Sequence, residues 1–411
     1  MARPSGSNGV RVPTILRLEA VIQRYDWGSR TILAELRGAP APSAEPEAEL
    51  WLGAHAHGES RVVLASGETM PLAAWIEQAP EAALGAAALA RFGPRLPFLF
   101  KILAVERALS LQAHPDAEQA RAGFAREERA GLPPSRRLYA DAHGKPELVV
   151  AHGRFRALAG FRDVADVRAR LAQVGLGALA PPPAAPADWL RALLRAWLQD
   201  LAPAALAHAV DAARRGAAGD AALACVARLA DEHPGDPGAL APLVLHAVEL
   251  APGEALHLEP GTLHCYLDGA AAEIMASSDN VLRAALTTKP RAVDDLLRIG
   301  RFEPRAPQPI RATPRAPGER VFVTPAREFE LSEIDASGDG VALAGERSIE
   351  ILLCHAGRVR AAAVDGSAAL ELARGESCVV AAAAGAYRVS GAGRVYRAAL
   401  PRTDRSEAAV W

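Results

Sequence analysis

Gln112 and His114 stand two residues apart in LSLQAH, and on a strand that spacing puts both side chains on one face. His264 follows the Pro260-Gly261 turn of LEPGTLHC, and Glu147 follows Lys145-Pro146 in HGKPEL. Pro146 biases Lys145 toward extended backbone, which argues against a helix through GKPE. Two imidazoles, a carboxylate and an amide oxygen form a donor set for Zn²⁺ or Fe²⁺. With oxygen donors and no thiolate, the set reads as catalytic rather than structural. A Gln-x-His pair alone carries little weight, because a single His in an apolar strand is more often packed than ligating. The weight comes from several segments appearing together and in order.

Lysine points to the same segments. Of 46 basic side chains only Lys101, Lys145 and Lys289 are lysines, and the only asparagines are Asn8 and Asn280. The Ala-, Arg- and Pro-rich composition suggests that Arg has replaced Lys wherever it would serve. Lys is a compact charge with a tunable pKa, whereas Arg is a planar fork that stays protonated. The survivors sit in PFLFKIL, DAHGKPEL and SSDNVLRAALTTK, beside the donor residues.

Three textures must position these groups. Residues 13–158 read as strands, with short helices over 71–92, two strands over 96–113, and a helix with Pro115 and Asp116 in its first turn. Residues 159–248 are a helical insertion, with helical periodicity in DVADVRARLAQVGL, ADWLRALLRAWLQDL and DAALACVARLADEH. Strand character returns over 249–303. Residues 304–318 carry five prolines and no apolar period, as expected of a linker. Residues 319–411 contain short strands again, a small barrel or sandwich. Gly253-Glu254 with Pro260-Gly261 and His264, and Gly375-Glu376 with Ala384-Gly385 and Tyr387, both resemble the turn-strand-turn signature of a cupin. The expected fold is therefore mainly β with a helical insertion: a bicupin, two jelly-roll barrels plus an α-helical domain. The second copy has no His where a ligand would be needed, and His355 stands alone in it.

Composition excludes several classes. Half of the 411 residues are hydrophobic, enough for a sizeable core, and the net charge of −2 gives no reason to expect nucleic acid or an anionic membrane. Cys225, Cys265, Cys354 and Cys378 form no CxxC pair, which favours a reducing cytoplasm. The N-terminus lacks a signal-like apolar stretch, and no uncharged apolar run reaches 18 residues. Residues 1–12 read as a flexible tail.

The blocks YDWGSR, ELWLGAHAHGES, PFLFKILAVERALSLQAHPD, DAHGKPELVVA and LEPGTLHCYLDGAAAEIMASSDNVLRAALTTK closely resemble type I phosphomannose isomerases, from about residue 18 to about residue 300. The resemblance is loose in the helical insertion and faint after the linker. It implies one zinc per chain held by Gln112, His114, Glu147 and His264, and interconversion of mannose 6-phosphate and fructose 6-phosphate through a cis-enediol. The chain departs from the family at His143-Gly144, where Asn-His is common, and at Ala56, where Pro is common.

That chemistry needs a cation for the developing oxyanion, a tunable base and a pocket for a phosphate dianion. Ser110, Lys101 and Lys145 could bind the phosphate, or one of the two lysines could carry the proton after burial lowers its pKa. Lys145 could instead simply support Glu147. Asp279 and Arg283 are expected catalytic residues at the barrel mouth if their segment is strand and turn, and a surface ion pair if it is helix. Trp27, Tyr266, Glu273 and Lys289 complete the expected substrate pocket, with core packing the alternative for Trp27 and Tyr266. His55 and His57 read as structural. Two other readings are a non-catalytic sugar-phosphate-binding cupin and an iron-dependent cupin dioxygenase, although the latter usually draws more His ligands. The partner expected throughout is a small sugar phosphate, met by a monomer.

Overall fold

The computed structural model describes residues 14–345 and 347–402. The tail expected over residues 1–12 lies outside them, as do residues 403–411 of the last unit. The chain is mainly β, with two antiparallel sheets and a set of helices.

The first sheet is built around the strand Phe98–Val105, whose eight residues are all buried. Seven of them are apolar, so the strand can be covered on both faces. It pairs with Glu49–Leu52 on one side and His264–Ala276 on the other. The long strands Glu147–Phe161 and His264–Ala276 pair antiparallel over most of their length. The short strand Leu111–Ala113 sets Gln112 opposite His264, and Leu282–Ala285 sets Arg283 opposite the same Gln112. The three donor-bearing segments and the strand that carries Arg283 thus meet through backbone register.

Alternation then sorts the two faces. Leu111, Ala113, Leu263 and Cys265 point away from the donors into a cluster with Trp189, Leu193, Trp197 and Leu229 of the helical region. The helices Val164–Gln173, Pro186–Arg195, Pro203–Gly216 and Ala221–Glu232 therefore back the site strands. Truncating a buried Leu in such a cluster costs roughly 2–5 kcal/mol, so the helices fix the face that carries chemistry.

Several expectations need adjustment. The helix Ala117–Arg129 starts later than read, because Asp116 is its N-cap: the carboxylate accepts the Gln119 N–H at 2.8 Å, and Gln119 returns the bond. Strand returns at Leu245, earlier than 249, because Leu245–Leu250 pairs with Glu147–Phe161, which itself runs to 161. The proline-rich stretch is not featureless. Ile310–Arg311 pairs with Glu254–Leu258 in the first sheet, and Thr313–Ala316 pairs with Glu319–Phe322 in the second. The strands Ile15–Glu19, Arg61–Val63 and Thr69–Pro71 lie in the second sheet, where Ile15–Glu19 pairs with Ser377–Val380. Nothing local marks that pairing; it follows from a shared core in which Phe100, Ile102 and Ile274 meet Ile351, Val379 and Tyr396. The ring of His355 stacks on Tyr396 at 4.2 Å, and its Nε2 lies 3.2 Å from Glu333.

Candidate metal and substrate site

His114, Glu147 and His264 are buried, and their donor atoms lie within 4.8 Å of one another. His114 Nδ1 donates to the Asn280 carbonyl at 2.8 Å, and His264 Nδ1 donates to the Thr262 carbonyl at 2.8 Å. A carbonyl can only accept, so each Nδ1 carries the proton and each Nε2 presents a lone pair. Burial pushes both imidazoles down, His264 to about 4, which leaves them neutral at pH 7. Glu147 Oε2 sits 3.3 Å from His114 Nε2 and 3.7 Å from His264 Nε2. None of these three atoms has a hydrogen-bond partner. Three buried acceptors aimed at one point are costly unless a cation joins them. The donor set fits a divalent ion such as zinc.

The turn before His264 is part of this construction. Gly261 has φ +81, and a Cβ there would lie 2.6 Å from the Ile299 carbonyl oxygen. Its N–H donates to the His114 carbonyl at 2.7 Å, tying the two histidine segments together. Gln112 occupies the register position beside His264, on the same face. Its Oε1 accepts from the Ser110 hydroxyl at 2.9 Å and retains a second lone pair.

Behind the donors lies a buried chain of charges. Lys145 Nζ is 3.1 Å from Glu147 Oε1, the supporting position considered for it. Burial alone would raise the Glu147 carboxyl, but His114 and Lys145 outweigh it and hold the group well below the usual carboxylate range. Lys101 faces Glu273 at 3.3 Å and Glu49 at 3.6 Å, with its ammonium 5.1 Å from the Trp51 ring centre. Burial would lower the Lys101 pKa, yet Glu49 and Glu273 more than reverse this and raise it. Of the two roles left open for Lys101, a charged contact fits the two carboxylates around it better than a proton carrier with a lowered pKa. Tyr266 donates to Glu273 at 3.0 Å, and burial pushes Glu273 up to about 7 against the pull of Lys101.

The outer rim is more exposed. Asp279 and Arg283 are not on a helix; a loop carries Asp279 and the strand Leu282–Ala285 carries Arg283. The surface i,i+4 pair is thereby excluded. Asp279 lies 3.3 Å from His55 Nε2 and 3.2 Å from His57 Nδ1, and its N–H donates to Asp141 at 2.8 Å. His55 and His57, read as structural, thus both face Asp279. Burial lowers the pKa of Arg283, and burial and then Arg283 lower that of Lys289. Among the described residues, no carboxylate lies within ion-pair distance of either side chain. Lys289 sits 5.7 Å from the Tyr25 ring centre, and Tyr25 stacks on Trp27 at 5.7 Å.

Tyr25, Glu49, Trp51, Asp141 and Asn280 escaped the residue-by-residue reading. Asn280 could have been found. It is one of two asparagines, and the scarcity argument applied to lysine applies equally to it. Its amide donates to the Asp141 and His143 carbonyls, both at 2.8 Å, which fixes the loop whose own carbonyl holds His114.

Residues 15–164 match the family model described as phosphomannose isomerase type I, catalytic domain. The chain is 38% identical to the mannose-6-phosphate isomerase of Salmonella typhimurium over 386 residues, covering 92% of this chain and 97% of that protein. It is 30% identical to the bovine mannose-6-phosphate isomerase over 397 residues, 88% of this chain and 92% of the relative. It also superposes on a crystal structure of a zinc-bound holo mannose 6-phosphate isomerase with TM-score 0.85 at 34% identity, covering 95% of this chain and 100% of that one. This site, this fold and these likenesses over nearly the whole chain agree, and the chain belongs to the type I phosphomannose isomerases.

Proposed function

We propose that the chain is a zinc-dependent aldose–ketose isomerase that interconverts mannose 6-phosphate and fructose 6-phosphate. The observation that carries this reading is the convergence of unpartnered Nε2 and carboxylate atoms from His114, Glu147 and His264 beside a buried lysine–carboxylate chain. Gln112, at the adjoining register position, would supply a fourth donor. When bound, one zinc supplies a Lewis acid that polarises a substrate oxygen.

The remaining roles follow from charge. Lys101 and Lys145 are already matched to carboxylates, so they suit fixed contacts to substrate hydroxyls rather than to a phosphate dianion. Lys289 and Arg283 carry charge without a carboxylate partner and suit the two anionic features of the reaction. We assign the phosphate to Lys289, assisted by Ser110. We assign the developing enediolate to Arg283, which shares its register with Gln112. Asp279, held by two imidazoles, is oriented to move the proton between C2 and C1. Tyr25, Trp27, Tyr266 and Glu273 wall the pocket.

We read the two sheets as two cupin barrels, the first interrupted by the helices and the second without a metal. A cytoplasmic monomer acting on a free sugar phosphate, with no nucleic-acid or membrane partner, accords with a net charge of −2 and four free thiols. No helix among the described residues is long and apolar enough to cross a membrane. The test is a coupled assay with mannose 6-phosphate, with and without chelator, on wild type and His264→Ala. Turnover lost to chelator, restored by zinc, and about one zinc per chain that falls in His264→Ala are expected. Full zinc occupancy in His264→Ala would sink the ligand assignment.

A further inference from the structure

Leu286 has φ +54 and is the one non-glycine residue in the left-handed region among those described. A residue with a Cβ keeps that backbone only where its surroundings hold it there, and such positions gather at functional sites. Leu286 directly follows the strand Leu282–Ala285, which carries Arg283, and opens the loop that carries Lys289. Two contacts hold it. Its side chain is buried in the cluster that includes Trp197 and Leu240 of the helical region. Its N–H donates to Asp236 Oδ2 at 3.0 Å.

Asp236 comes from the helical insertion and is itself fixed. It is buried, its Oδ1 accepts the Gly238 N–H at 2.8 Å, and the Pro237 carbonyl beside it accepts the Trp197 indole N–H at 2.7 Å. Gly238 lets the two segments close on each other: a Cβ there would lie 2.6 Å from the Ala285 Cβ and 2.8 Å from the Leu286 Cγ. Asp236 Oδ2 also accepts from Arg291 Nη2 at 2.7 Å, a charge-assisted bond. Leu286 and Arg291 bracket Lys289, so one carboxylate ties both ends of its loop. The exit is tied once more where the Ala292 N–H donates to the Arg283 carbonyl at 2.7 Å.

We propose that Asp236 is a positioning residue for the phosphate end of the isomerase pocket: through Leu286 and Arg291 it sets the Lys289 loop against Arg283. The helical insertion then does more than back the site strands. It fixes the spacing between the charge assigned to the phosphate and the charge assigned to the enediolate. That role rests on the assignment of the phosphate to Lys289. The test is steady-state kinetics of the zinc-loaded chain with mannose 6-phosphate, arranged as a double-mutant cycle. Asp236→Ala should raise KM about tenfold, with kcat within about threefold of wild type and zinc content unchanged. Arg291 is partly exposed and its removal leaves the Leu286 bond in place, so Arg291→Ala should fold and raise KM by a smaller factor. In a Lys289→Ala background neither substitution should raise KM further, because the charge being positioned is gone. Additive effects on KM in that background, or a loss of kcat with KM unchanged, overturn the proposal. If Asp236→Ala does not fold, Arg291→Ala decides by the same two readouts. A KM raised in Lys289→Ala but unchanged in Asp236→Ala and Arg291→Ala removes this inference alone. A KM unchanged in Lys289→Ala removes the phosphate assignment, and this inference with it.

Discussion

The backbone carbonyl of Asn280 receives the Nδ1 proton of His114 at 2.8 Å, and the Asn280 amide is itself held by two further carbonyls. One buried asparagine thereby sets both the tautomer and the orientation of a metal-facing ring. Losing such support typically weakens metal binding about 10- to 100-fold. Asn280→Ala should retain the fold and show that loss in a chelator competition. Wild-type zinc affinity in the variant would show that the ring is held by packing alone.

Lys101 is confined between Glu49, Glu273 and the Trp51 ring. Arg would put a wide planar fork where a compact ammonium now sits, so Lys101→Arg should be nearly as damaging as Lys101→Ala, and Lys145→Arg, beside Glu147, as damaging as Lys145→Ala. The expected loss in kcat/KM is about 10² or more, roughly 2.7 kcal/mol of transition-state stabilisation. Near-wild-type kinetics in both Lys→Arg variants would mean that the survival of these lysines is accidental.

Arg283 and Lys289 should separate kinetically. Removing a charge that acts on the enediolate lowers kcat and leaves KM nearly unchanged, whereas removing a phosphate contact raises KM. Arg283→Ala is expected to show the first pattern and Lys289→Ala the second, each with zinc intact. A KM-only effect in Arg283→Ala would move that residue to the phosphate.

Glu273 offers a pH signature. Its folded pKa is raised to about 7 from an ordinary 4.5, with burial as the largest cause. The folded state therefore binds this proton more tightly than the unfolded state does. The associated stability is fully present below pH 4.5 and is lost as pH rises to about 7. Glu273→Gln should flatten that part of the profile, so the difference in Tm between pH 5 and pH 8 should shrink relative to wild type. An unchanged difference would mean that Lys101 keeps the carboxylate charged throughout.

The donor segments were legible because their chemistry is written locally. A Gln-x-His pair needs only strand geometry to share a face, Pro146 keeps GKPE out of a helix, and Gly261 is demanded by a turn at positive φ. The helical region announced itself through periodicity, since Trp189 and Leu193 in one segment and Leu223, Val226 and Ala230 in another recur at helical spacing. Tertiary structure alone decided the rest. The lysines show why: sequence marked Lys101 as unusual but left open whether its pKa is lowered, because Glu49 and Glu273, which raise it, reach it from two neighbouring strands far apart in the chain. Asp279 likewise meets His55 and His57 across more than 200 residues, and Ile15–Glu19 joins a strand near the other end of the chain. Spacing reports which side chains share a face, whereas the sign of a buried charge depends on what the fold brings opposite it.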